Sequence, residues 1–371
     1  MQRRTFLATL AAAMAPRLTW ADIGAPAFLA AGKRGHDFFL HGLSATGTSL
    51  FHIALPGRGH AAAAHPHLAE AVAFARRPGT FALVIDCATG ETRHRLTPPA
   101  GVQFNGHGTY SLDGALLMTS EVVAETSEGR IGVWDTARYT RLTDWPSHGI
   151  GPHEIKRLPD GRLAVANGGI KTDPVDRTKL NIPDMRPNLT LLSEDGEFLD
   201  QIDLPDLRQN SIRHLALQGD AIAFAMQWEG DPAEPVPQLG LWAPGKAPTL
   251  CTPPGAEAFT LQGYAGSIAA TETRILITSP KGGALMLFDA SGQHVSTHHR
   301  PDLCGAAASS GGFTVTDGQG VVWSASDEGL VPLATDKTKW DNHLVALGCH
   351  TTSCPPKHFH LVQISSGGLG G

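Results

Sequence analysis

Apolar residues along this chain come in short runs cut by Asp-Gly, Gly-Gly and Pro-Gly pairs, and no long stretch after the first residues carries a helical period. Such a pattern predicts short strands joined by tight turns. The stretch Gly149-Ile-Gly-Pro-His153-Glu154 sets the type. It reads as a loop, then a strand Ile155–Pro159, an Asp160-Gly161 turn, and a second strand, Arg162–Asn167. The layout recurs at Gly59-His60 before a run of alanines and at Gly106-His107 before Ala115–Ser120. It returns at Arg213-His214 before Ala221–Met226 and at Asn342-His343 before Leu344–Leu347. Tyr264–Ala270 before Ile275–Thr278, and Cys304–Ala308 before Phe313–Thr316, repeat it without the histidine. Seven starts spaced by about 47 residues match four-stranded propeller blades. The fold expected is therefore all-β, a seven-bladed propeller.

Each unit adds a third strand that ends on an acid in Ala82–Asp86, Ile131–Asp135 and Leu285–Asp289, and then a more polar outer strand such as Glu197–Ile202. Closure is expected from an N-terminal strand, His36–His41, pairing into the C-terminal blade, with His358–Ile364 as its partner. Two insertions interrupt the rhythm. Lys171–Pro187 follows the second strand of the His153 unit, so it should return to the end of the propeller where that unit starts. Glu229–Gln238 is acidic and Pro-rich and reads as a linker.

Inner strands of a propeller crowd around a channel, so residues at equivalent starts should meet at one mouth. These are His60, His107, His153, His214 and His343, with Cys304 at the sixth start and Tyr264 or Ser267 at the other. Three readings stay open. Converging imidazoles, with Glu154 nearby, suit a transition metal such as iron. The same groups can act as general bases in a lyase or lactonase acting on a small anionic substrate. Alternatively each histidine bonds within its own blade, with Asp86, Asp135 and Asp289 as partners, and the propeller is a docking scaffold. Asn105, Asn342, Arg58, Arg213 and Arg300 fall close to the same starts, and guanidiniums there favour an anionic guest. Glu154 follows His153 directly. A regular strand would turn it away from the channel, whereas a distortion at Gly151-Pro152 would bring both to the mouth.

The beginning of the chain changes the picture. Arg3-Arg4-Thr-Phe-Leu7 followed by an alanine-rich stretch reads as a twin-arginine export signal over residues 1–21, leaving 22–371 as one domain in the bacterial periplasm. The apolar run is too short to span a membrane. Removing those residues takes away three arginines and no acid, so the net charge moves from −6 to −9. No basic run remains, which argues against nucleic acid or anionic membrane as partner. In an oxidising compartment, Cys349 and Cys354 are expected to close a small disulfide loop, with a local metal site including His350 and His358 as the alternative.

Arg58-Gly-His60, Ala75-Arg-Arg-Pro-Gly79, Gly106-His-Gly108, Gly149–Glu154, Val165–Ile170, Ser211–Ala216 and Trp340–His343 resemble, in order, the family catalogued as domain of unknown function 1513. The resemblance implies twin-arginine export and a seven-bladed propeller. It also implies genes beside imelysin-like proteins and a dihaem-peroxidase-like oxidoreductase, and hence iron handling with periplasmic iron-uptake proteins as partners; the chain itself is expected to be a monomer.

Overall fold

The computed structural model describes residues 17–77 and 79–347. Twenty-eight strands form seven antiparallel sheets of four strands each. The innermost strands of blades 1 to 7 are Gly59–Ala64, Val102–Tyr110, Pro152–Arg157, Asn210–Gln218, Ser267–Ala270, Leu303–Ser309 and Lys339–Ala346. Each expected start lies in or just before one of these strands. Asp-Gly turns make the hairpins as anticipated: Gly114 and Gly161 follow Asp113 and Asp160 and take the left-handed backbone, at φ +77° and +94°.

Blade 7 joins the two ends of the described chain. Lys339–Ala346 pairs antiparallel with Phe28–Arg34, and Asp37–Leu43 and Ser49–Leu55 complete the sheet. The expected N-terminal strand thus begins one residue later than His36 and is third from the channel. Its anticipated partner His358–Ile364, like Cys349, Cys354 and His350, lies outside the described residues, as do Arg3 and Arg4. Residues at the end of the expected leader pack on blade 1. The Trp20 indole N–H donates to the His65 carbonyl at 2.8 Å, Ala69 N–H donates to Leu18 at 2.8 Å, and Arg17 pairs with buried Glu70.

Strands apolar on both faces need cover on both sides. Neighbouring blades supply it through seven hydrophobic clusters, one in each wedge between blades. Phe74 and Phe104 meet between blades 1 and 2, Phe224 and Leu189 between blades 4 and 3, and Leu285 and Phe313 between blades 5 and 6. Each fully buried Leu or Phe contributes about 1.5–3 kcal/mol. Stability therefore resides in the wedges, and the inner strands are free to carry small and polar residues: Gly59-His-Ala-Ala-Ala-Ala64 in blade 1 and Cys304-Gly-Ala-Ala-Ala308 in blade 6. Among the described residues helix is confined to four short 3-10 turns, and no helix is long and apolar enough to cross a membrane.

Candidate metal and anion site

All five histidine-bearing strands are irregular at the histidine. The ladder slips between Gly59 and Ala62, Phe104 and Gly108, Pro152 and Ile155, and Ile212 and His214, and in blade 7 across Asp341–His343. A bulge of this kind adds residues to one strand and re-aims the side chains at the slip. The inner strand of blade 5, which has no histidine, pairs without a slip from Ser267 to Ala270. In blade 2 the slip depends on Gly106. Its φ is +95°, and a Cβ there would stand 2.6 Å from Cδ2 of His60.

The re-aimed imidazoles converge. Five consecutive blades around the ring (7, 1, 2, 3 and 4) supply them, and the crescent they form closes on itself, His214 of blade 4 lying 4.8 Å from His343 of blade 7 between ring centroids. His60 lies 4.5 Å from His343 and 4.9 Å from His107 between ring centroids, and His153 lies 4.6 Å from His107 and 4.7 Å from His214. Ligand nitrogens of His60, His107 and His343 all fall within 4.8 Å of one another, as do those of His107, His153 and His214. His107 belongs to both triads. Its Nε2 is 3.2 Å from Nε2 of His60. Two nitrogens about 2.1 Å from one ion stand roughly 3.0 Å apart at a right angle and about 3.4 Å apart at the tetrahedral angle, so this spacing suits a shared ion.

Buried nitrogens remain without partners: Nδ1 of His60, Nδ1 of His153 and Nε2 of His343. The carboxylates a purely structural role would require are used elsewhere. Asp86 accepts from turn N–H groups of Ala88 and Thr89 and pairs with Arg93, Asp135 accepts from Arg138 N–H, and Asp289 caps the turn at Ser291 and Gln293. Burial, then the neighbouring imidazoles, holds His60, His107 and His153 well below their ordinary value and pushes His343 down to about 3. Neutral imidazole is the form that ligates a metal.

Glu154 does not turn away from the channel as a regular strand would have it. The slip in blade 3 brings it beside the crescent, where Oε2 is 3.3 Å from Nδ1 of His214 and accepts from Leu215 N–H at 3.2 Å. Burial pushes its carboxyl up, but Lys156 at 3.6 Å and the bond to His214 outweigh this and hold it well below the ordinary carboxylate value. It therefore orients His214, as carboxylates commonly orient metal-binding histidines.

The other sequence-predicted residues divide. Arg58 pairs with buried Asp341 at 2.7 Å. Asn105 donates to the Pro152 carbonyl and keeps its Oδ1 buried without a partner, and Asn342 reaches the Tyr264 hydroxyl at 3.4 Å. Asn105 thus ties the inner strands of blades 2 and 3 together, and Asn342 ties that of blade 7 to the loop before blade 5. Arg213 is buried beside the crescent. Cys304 sits in the equivalent slip of blade 6, but its short side chain stays in the wall. Its Sγ lies 3.4 Å from Oγ1 of Thr316 and 3.6 Å from the Trp340 carbonyl, and burial pushes the thiol up to about 12. Arg300 faces away from the crescent, held by Asp317 and Gln319 over the ring of Trp323. Cys87, Cys251 and Cys304 are buried free thiols.

The first insertion reaches the mouth. Thr172 accepts from Arg77 at 3.2 Å and donates its N–H to Ser127 at 3.0 Å, Pro174 accepts from Gln103 at 3.3 Å, and Lys179 pairs with Glu229 of the second insertion. Beneath it lies a cavity of about 20 Å³ lined by Arg77, Gln103, Thr172 and Arg177, with room for about one water. Sequence reasoning did not place Arg76, Arg77 and Arg177 here. The signal was available: Arg76-Arg77 follows the second strand of blade 1, and the antiparallel path that returns the insertion to the mouth returns this loop too. Burial and the charges of Arg213, Arg177 and Arg76 push Arg77 down to about 9.

A family model described as "Protein of unknown function (DUF1513)" matches residues 53–347. No curated protein matches the sequence. Among solved structures, Kuenenia stuttgartiensis hydrazine synthase aligns with a TM-score of 0.56 at 14% identity over 81% of this chain and 91% of that one. The structure of U3-55K aligns at 0.56 and 12% identity, over 76% and 82% of the two chains. The mitotic checkpoint complex aligns at 0.54 and 12%, over 74% and 75%. At these identities the likeness concerns the fold alone.

Proposed function

The chain belongs to this family of unknown function, and from that premise we propose that it is a metal-binding propeller whose imidazole crescent holds one first-row transition ion, with iron as the physiological metal. One observation carries the reading. Five bulged strands bring five imidazoles into two triads that share His107, and Nδ1 of His153 and Nε2 of His343 are buried with no other partner. Orphaned polar atoms are costly in a fold, and a shared ion satisfies several together. Nitrogen donors backed by a carboxylate suit iron, zinc or copper. No more than about four would bind at once, leaving the fifth to hold a ligand in place. The twin-arginine signal and the resemblance support export to the periplasm and iron-uptake proteins as partners.

The test is metal content. Chain exported with its own leader and purified without metal-affinity resin, from cells grown with iron, zinc, copper and manganese, should carry about one ion per chain by mass spectrometry. It should also partition with periplasmic markers. A metal content near zero under those conditions sinks the proposal.

A further inference from the structure

Independently of the metal reading, we propose that a cavity between blades 4 and 5, at the same end of the propeller as the crescent, binds a small zwitterion: an α-amino acid with an apolar side chain.

Trp228 ends the second strand of blade 4 and pairs with Asn210, the first residue of the inner strand, so its surroundings belong to the mouth. Beside it lies a cavity of about 200 Å³. That is far more than one water needs and less than the roughly 300–1,000 Å³ of drug-sized ligands, so it suits a guest of on the order of ten non-hydrogen atoms. The second insertion, Glu229–Gln238, forms one wall with Glu234 and Gln238. The approach to blade 5 supplies Phe259, and the turn after Arg274–Ser279 adds Lys281. The Trp228 indole is held in place: its N–H donates to the Asp231 carbonyl at 2.8 Å, and a Cβ on Gly230 would stand 2.3 Å from its Cζ2. Together with Phe259, which is 43% exposed, it offers the guest's side chain an apolar surface.

The polar groups choose the guest. Gln238 is 5% exposed and lines the cavity, and its side chain makes no hydrogen bond among the described residues. A nearly buried amide left so is costly to the fold alone and is available to a guest. The lining also carries two charges without an ion pair among the described residues, one of each sign. Glu229 is neutralised by Lys179, whereas Glu234 and Lys281 are not paired. Lys281 spends one donor on the Gln262 carbonyl at 3.1 Å and keeps two. Carboxylate and ammonium thus reach the cavity from different blades. A simple cation would meet Lys281 and a simple anion Glu234, so a molecule bearing both charges fits best.

The test is calorimetric titration of the full chain with L-leucine and L-phenylalanine, and with the amine and the acid that each becomes on losing one charged group. At least one amino acid should bind, and its single-charge counterparts should bind at least about 10-fold more weakly. Glu234→Gln and Lys281→Gln change exposed side chains, so the fold is undisturbed, and each should weaken binding of the amino acid by on the order of 10-fold. Gln238→Leu, which keeps the size and removes the amide, should weaken it by a similar factor. A parent chain that binds neither amino acid overturns the proposal. So does equal binding of a single-charge counterpart, or an affinity that survives both Glu234→Gln and Lys281→Gln unchanged.

Discussion

Blades 3 and 5 are built from the same four strands and the same apolar wedges, yet only one reaches into the channel. In blade 3 the ladder slips between Pro152 and Ile155, and His153 and Glu154 both turn to the mouth. In blade 5 the ladder runs without a break from Ser267 to Ala270, and Ser267 accepts a hydrogen bond from Ala306 N–H at 3.2 Å, closing the wall. The difference lies in one inserted residue. A regular inner strand spends its polar groups on its neighbours, whereas a bulged one can re-aim a side chain into the channel, as it does in five of the six bulged blades but not at Cys304 of blade 6. Chemistry on this scaffold is thus added strand by strand, and the wedges between blades, which hold the fold together, need not change.

The comparison is broken most directly at its shared point. His107 belongs to both triads, so His107→Ala should lower metal affinity by at least about 100-fold, measured by competition with a chromophoric chelator. Ser267→Ala, on the regular side, should leave metal content unchanged. Next comes Glu154→Gln, which keeps the shape and removes the charge that orients His214. We expect a loss of roughly 10–100-fold in metal affinity with the fold intact by circular dichroism. Unchanged affinity would return Glu154 to a purely structural role.

Acid should separate the two sides in the metal-free protein. His107, His153 and His343 are held neutral by burial, while unfolded histidine titrates near 6.5. Between that value and their depressed folded values the unfolded chain binds more protons, so stability rises with pH there and is lost as pH falls from 6.5 towards 4. Each histidine contributes a slope of about 1.4 kcal/mol per pH unit. Chemical denaturation at pH 7, 6, 5 and 4 should show a shallower slope for His153→Gln than for the parent, and no change of slope for Ser267→Ala. A smaller effect is expected at the bulge itself. Gly106→Ala forces a side chain into left-handed backbone against His60 and should cost about 1–2 kcal/mol in the same measurement.

Much of the fold was legible because its signals are local. Asp113-Gly114 and Asp160-Gly161 announce hairpins, and a histidine repeating at one place in successive units announces a shared end of the propeller. The slips were not legible, since they are properties of pairing between strands. Nothing in Pro152-His-Glu154 alone says that Ile155 will face Val165. For the same reason the position of Cys304 could be read while its outcome could not: the residue sits in the slip, but its side chain stops in the wall. Arg77 was hidden differently. Its loop is short and ordinary, and its surroundings, Thr172 and Arg177, come from the insertion of another blade.

The central claim is that the bulged strands assemble one imidazole-coordinated centre. X-ray absorption on the loaded protein tests it most directly, because histidine rings give a multiple-scattering pattern that other ligands do not. The expected spectrum shows three or four imidazole nitrogens about 2.0–2.2 Å from the ion and no sulfur. A spectrum with one imidazole or none, or with a sulfur ligand, would contradict the account.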